Sequence, residues 1–191
     1  MNFDILKHLN WIDIFIVIVI IRVCYISLAT GFTIELFKLL GTIFSIYLSL
    51  HYYTVISNLI RDWLSSDKAA FGIVVPVTFV LLAILGYLVF SLLRNLIFRF
   101  IKMEAASGLN KWGGLIIGVF RSILLAGLIV FMLLVGGLPY FTASIKNSYS
   151  GLRFSTIAPA TYTVIWDGFA SKFFPDEIFN KAVLKIQENI S

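Results

Sequence analysis

The sequence predicts an all-α integral membrane protein, a four-helix bundle with short interfacial amphipathic helices and a C-terminal amphipathic helix. Hydrophobic residues make up 60% of the 191 positions and charged residues only 13%, which would leave a water-soluble domain with an apolar surface. Four apolar stretches are each close to the roughly 20 residues that a helix needs to cross a hydrocarbon core of about 30 Å. These stretches are Trp11–Ala29, Phe32–Tyr52, Phe71–Leu93 and Leu115–Leu138.

The distribution of charge predicts how these spans are oriented. The connection between the third and fourth spans carries four cations against Glu104 alone, and short cytoplasmic loops carry the excess of Lys and Arg. We therefore expect this connection to face the cytoplasm and both termini to lie outside it, with the reversed topology left open. The N-terminus lacks the pattern of a cleaved signal peptide, so we expect the first span to be retained. The four cations are Arg94, Arg99, Lys102 and Lys111.

Amphipathic segments are predicted outside the spans. Val55–Leu64 has apolar residues at helical spacing and is expected to be a short helix on the outer membrane face. Leu92–Met103 either prolongs the third span or bends along the headgroups. The polar stretch Phe141–Pro159 is predicted to be a loop, and Asp176–Ile190 a capped amphipathic helix that packs on an apolar surface. Residues 1–138 would thus form the membrane domain and residues 139–191 an extramembrane tail.

Composition and motifs exclude several classes of function. The net charge is +5, but the cations are not gathered on a polar domain, so anionic lipid headgroups at the cytoplasmic face are the expected partner rather than nucleic acid. Cys24 is the only cysteine, and neither His8 nor His51 has a metal ligand at suitable spacing. No phosphate-binding loop, hydrolase elbow or dinucleotide fingerprint is present. We expect no catalytic residues, no metal and no cofactor.

Three charged residues lie within or at the edge of the spans: Arg22, Glu35 and Arg121. An ionised side chain in a bilayer costs on the order of 3 kcal/mol on insertion scales unless it is paired, hydrated or snorkelled. One hypothesis is an ion pair that ties helices together, with Glu35 bound to Arg121 or to Arg22. The simpler alternative is that both arginines reach lipid phosphates while Glu35 favours the N-terminus of the second span.

Small residues recur every four positions along the fourth span, at Gly114, Gly118, Ser122 and Ala126. Such faces let helix backbones approach closely in a membrane. We expect this face to pack within the chain, although a contact between subunits of a homo-oligomer would use the same pattern. The second span has a similar line at Gly41, Ser45 and Ser49, and the two lines are candidates to face each other.

Two motifs stand out in the sequence. The first comprises Trp11–Asp13, the turn Gly31–Glu35 and His51–Tyr53, and the second runs from Asn110 to Ser122. Both resemble motifs of the colicin V production protein family. Together they cover about three quarters of the chain. The sequence departs from the family pattern at four positions, where Thr30 replaces an Arg, Asn110 and Lys111 replace Asp-Arg, and Ser122 replaces a Gly. Asp13 and Lys111 are expected at the membrane interfaces. Gly31, in the turn between the first two spans, is expected to be a helix-packing residue together with Gly114, Gly118 and Ser122.

The resemblance implies a multi-pass protein of the bacterial cytoplasmic (inner) membrane, needed for production or export of a peptide toxin (a bacteriocin) and having no established catalytic activity. An accessory factor that binds unknown membrane proteins or lipids, with a further role in envelope maintenance, fits this description. The alternative is an oligomeric channel or small transporter in which Arg22, Glu35 and Arg121 line a polar path. Four spans enclose little space, so this alternative requires self-association.

Overall fold

A computed structural model describes residues 10–64, 68–100 and 107–190, and within these ranges the chain is helical with no strand. Predictions that concern His8, Lys102 or Glu104 lie outside the described residues. Four long helices are followed by a helical tail, in which a π-helical turn (Trp166–Ala170) and a last turn (Ser171–Phe173) extend α6. The helices are α1 (Trp11–Thr30), α2 (Phe32–Leu64), α3 (Lys68–Phe100), α4 (Ser107–Val135), α5 (Pro139–Lys146), α6 (Gly151–Ile165) and α7 (Ala182–Glu188).

Helices α1 to α4 are each long and apolar enough to cross a membrane, as the sequence predicts. The spanning portions are Trp11–Thr30, Phe32–Trp63, Gly72–Ile97 and Asn110–Val135. Helices α2 and α3 each have 33 residues and, at 1.5 Å per residue, are about 50 Å long. They therefore exceed the thickness of a hydrocarbon core.

The extra length of α2 and α3 comes from segments that the sequence places at the interfaces. Val55–Leu64 is not a separate helix but the last part of α2. The drop in hydropathy after Tyr52 suggested a break, but no Gly or Pro follows to interrupt the backbone. Residues 92–100 prolong α3. Of the two alternatives for this segment, the structure therefore shows the one in which it extends the third span.

The bundle is built from two close helix pairs, α2 with α3 and α1 with α4, and α4 joins the pairs by also packing on α2. Helices α2 and α3 pack along their length, α1 packs mainly on α4, and α4 also contacts α2 and α6 but touches α3 only sparsely. On α3, a Cβ added to Gly86 would lie 2.8 Å from the Cα of Ser45. Ser45 therefore faces α3, whereas Gly114 and Gly118 of α4 face α1. The expectation that the two lines of small residues face each other is wrong.

The tail is more ordered than the sequence predicts. Most of Phe141–Pro159, predicted to be a loop, belongs to α5 and α6. Its hydroxyl groups bond within the helix, as where Ser155 Oγ donates to the carbonyl of Leu152 at 2.7 Å. The composition that resembles a loop is thus compatible with a helix. Ala158 and Tyr162 are fully buried in the same core as α2, α3 and α4.

Helix α7 is shorter than the predicted segment Asp176–Ile190, since it spans Ala182–Glu188. The amide of Asn180 donates to the carbonyl of Leu50 at 2.7 Å and to that of His51 at 3.3 Å. These bonds anchor the chain before α7 to the bundle in a non-helical conformation. Val183 is fully buried in the core, so the apolar face of this helix packs as predicted.

Candidate functional site

The two sequence motifs meet at the turn between α1 and α2. Gly31 has a positive φ of 82°, which glycine adopts without steric cost. The backbone N–H of Phe32 donates to Oδ1 of Asn110, from the start of α4, at 2.8 Å. A Cβ on Gly31 would lie 2.3 Å from that oxygen. The glycine therefore lets α4 cap the N-terminus of α2.

One turn into α2, Glu35 is completely buried and holds three partners. Its Oε1 accepts a bond from Thr30 Oγ1 at 2.5 Å and one from Lys38 Nζ at 2.7 Å. Its Oε2 lies 2.9 Å from Nε of Arg121. The Nε–H of Arg121 is not aligned for a hydrogen bond, so this contact is an ion pair. We call Thr30, Glu35, Lys38 and Arg121 the Glu35 cluster.

The direction of side chains on α4 explains how Arg121 reaches Glu35. Arg121 is 11 residues beyond Asn110, a rise of about 16 Å, whereas Glu35 is only 4 residues from Gly31, a rise of about 6 Å. Side chains on a helix tilt toward its N-terminus, and the N-terminal end of α4 lies beside Gly31. The long Arg121 side chain therefore extends back along α4 to the carboxylate.

The structure places only two of the three predicted intramembrane charges together. Arg22 is exposed on α1, whose buried face contains Val23 and Ser27. Within the described ranges Arg22 forms no ion pair. The second cation beside Glu35 is instead Lys38, which was not among the predicted site residues. Its i, i+3 spacing from Glu35 is the feature of the sequence that could have indicated this pair. The Glu35 cluster carries two cations and one anion.

A line of small residues joins α1 to α4 next to this cluster. A Cβ added to Gly118 would lie 2.1 Å from Oγ of Ser27, and one on Gly114 would lie 2.9 Å from the carbonyl oxygen of Ser27. Ser122, one turn further along, is fully buried. These predicted helix-packing residues therefore form an intrachain contact, which we call the α1–α4 seam.

Asp13 and Lys111, both predicted at the interfaces, have different environments. Lys111 is exposed at the start of α4. Asp13 is buried, and its carboxylate accepts bonds from the backbone N–H of Asn10, Tyr149 and Ser150 and from Oγ of Ser150, at 2.5 to 3.2 Å. It therefore fixes the turn between α5 and α6 to the start of α1.

A second buried polar group surrounds His51 of α2. The ring Nδ1 lies 2.8 Å from the hydroxyl of Tyr162, and Nε2 lies 2.6 Å from Oε2 of Glu177. Tyr52 donates to the other oxygen of Glu177 at 2.5 Å, and the backbone N–H of Asn180 donates to the Tyr162 hydroxyl at 3.1 Å. We call these five residues the His51 cluster.

The His51 cluster attaches the tail to α2. Burial raises the pKa of Tyr162 above its usual value, so the hydroxyl stays neutral in this setting. The cluster was not predicted because Tyr162 and Glu177 are more than 100 residues from His51 in the sequence and belong to no recognisable motif. Across the described part of the chain, no three His, Cys, Asp or Glu side chains are grouped so that they would hold a metal ion.

Comparison with known proteins gives one match. The family model described as colicin V production protein matches residues 12–159, which include the Glu35 cluster, the α1–α4 seam and both motifs apart from Trp11. No curated protein sequence and no solved structure matches the chain.

Proposed function

The chain belongs to the colicin V production protein family, and from this membership we propose that it is an accessory protein of the bacterial inner membrane. It serves the production or export of a peptide toxin and contributes to envelope maintenance. In this proposal the protein acts by binding partner proteins and lipids and carries out no catalytic step.

The observation that carries the proposal is the Glu35–Arg121 ion pair. Glu35 is fully buried and Arg121 is 7% exposed, and the pair ties the start of α2 to the middle of α4. A buried pair is costly to desolvate, so it is a functional candidate in a membrane. Here the carboxylate is paired with both Arg121 and Lys38, which fits a rigid scaffold for partners better than a water-filled path.

The channel hypothesis has less support. It requires Arg22, Glu35 and Arg121 to line one path, whereas Arg22 is exposed on α1 and separate from the other two. The face of α4 that carries Gly114 and Gly118 is already occupied by α1. That face is therefore not free to build an oligomeric pore.

The test is Arg121→Gln, with Lys111→Gln as the control because Lys111 belongs to the same motif but is exposed. In cells with normal protein levels, Arg121→Gln should impair toxin export or envelope integrity, and Lys111→Gln should not. Vesicles reconstituted with the wild-type chain should show no specific ion or solute flux. A specific flux that disappears with Arg121→Gln would reject the accessory role in favour of a channel.

A further inference from the structure

The sparse contact between α3 and α4 leaves a cavity of about 400 Å³ beside α2. Its walls are mostly apolar, and two of its lining residues, Ile84 and Leu88, are 50% and 48% exposed. The cavity therefore opens on the lateral, apolar surface of the bundle. Its size falls within the range of small-molecule sites, about 300–1,000 Å³.

The charged side chain among the residues that line this cavity is Arg121. A guanidinium has five N–H donors, and among the described residues Arg121 contacts a carboxylate through Nε alone. No acceptor in the described ranges binds its two terminal amino groups. These amino groups are not among the enclosed atoms without a partner, so they reach open space. The cavity is the space from which an acceptor would reach them.

A small recess next to the cavity adds more positive charge. It is lined by Lys38, Ser91 and Arg94, and it shares Tyr87 with the cavity. Arg94 is half-buried and bonds only the amide of Asn95 among the residues that the structure describes. Arg94 and Arg121 thus lie on the two sides of Tyr87, near the Gly31 end of the bundle, with one anion, Glu35, nearby.

We infer that the cavity binds an anionic phospholipid. One acyl chain lies along the apolar walls, and the oxygen atoms of the headgroup region lie between Arg121 and Arg94. Charge complementarity selects this occupant, because the cations of the cavity and recess exceed the single buried carboxylate.

The first test uses two neighbouring, equally exposed residues of α3. Ile84 lines the cavity and Leu85, 53% exposed, does not. The full chain, purified from bilayers with equal amounts of phosphatidylglycerol and phosphatidylcholine, is examined by native mass spectrometry. The wild type and Leu85→Trp should retain one phosphatidylglycerol, and Ile84→Trp should lose it. Equal retention in both variants would overturn the inference.

The second test concerns charge and compares Arg94→Gln with Arg99→Gln, an exposed cation on the same helix outside the recess. Arg94→Gln should weaken the preference for phosphatidylglycerol about tenfold, the factor that corresponds to one charge-assisted hydrogen bond. Arg99→Gln should leave it unchanged. Equal retention of both lipids by the wild type would contradict the site. So would a wild-type dimer that forms with no lipid bound and that Ile84→Trp dissociates.

Discussion

The two buried polar clusters of this protein hold helices together by different chemistry. The Glu35 cluster pairs a fully buried carboxylate with an arginine, which stays charged at any accessible pH. The His51 cluster joins a histidine, through its two ring nitrogens, to the hydroxyl of Tyr162 and to Glu177, which is 31% exposed. The carboxylate of the first cluster is fully buried and that of the second is partly exposed, so losing the carboxylate should be far more costly in the first.

The clusters also differ in their relation to the family. The family match covers residues 12–159, which contain every member of the Glu35 cluster. In the His51 cluster, Tyr162, Glu177 and Asn180 lie beyond it. The first cluster joins the spans to each other, and the second fastens this chain's own tail to α2.

The largest effect is expected from Glu35→Ala. This change leaves Arg121 buried without a counter-charge, which typically costs about 3–5 kcal/mol. The midpoint of thermal unfolding in detergent, followed by circular dichroism, should fall sharply. An unchanged midpoint would mean that Arg121 finds another partner, such as lipid phosphate, and that the ion pair does not tie the helices.

Gly118→Leu should have the next largest effect, because the α1–α4 seam has no room for a side chain at this position. Overpacking typically costs about 1–3 kcal/mol, and here the new atoms meet Ser27 directly. Gly72→Leu is the matched control, since a Cβ at Gly72 meets nothing within 4 Å. Size-exclusion chromatography should show loss of folded protein for Gly118→Leu only. If the wild type is an oligomer and Gly118→Leu gives folded monomers, this face of α4 forms a contact between subunits instead.

Glu177→Ala should have the smallest effect and sharpens the comparison with Glu35→Ala. His51 keeps Tyr162 as a partner and Glu177 is partly exposed, so we expect a loss of only about 1–2 kcal/mol. Faster hydrogen exchange should be confined to residues 176–188, which this cluster fastens to α2. Unfolding of the spans to the same extent as in Glu35→Ala would show that the two clusters do not differ as described.

The sequence predicts the charges of the Glu35 cluster better than their pairing. Glu35 and Arg121 stand out because ionised residues are rare in spans, and the four spans themselves follow from hydropathy. Whether Arg121 or Arg22 pairs with Glu35 depends on which face of each helix is buried. Helices α1 and α2 are so uniformly apolar that their sequence patterns do not indicate the buried face. Only the packing of α1 through Ser27 turns Arg22 outward.

The tail shows where composition misleads. Ser, Thr and Gly residues between Phe141 and Pro159 are typical of loops, yet most of this segment is helical, and hydroxyls in it bond carbonyls of the preceding turn. Asp13 accepts bonds from Tyr149 and Ser150, and His51 contacts Tyr162, across more than 100 residues of sequence. Local patterns carry no information about such partners.

The most direct test of the central claim, that Glu35 and Arg121 form an ion pair that ties α2 to α4, is a pair of double-mutant cycles. Glu35→Ala is combined with Arg121→Ala in one cycle and with Arg22→Ala in the other, and the free energy of unfolding is measured for each variant. We expect a coupling of about 2–3 kcal/mol with Arg121 and additivity within about 0.5 kcal/mol with Arg22. Additive effects in the Arg121 cycle, or equal coupling in both, would contradict the account.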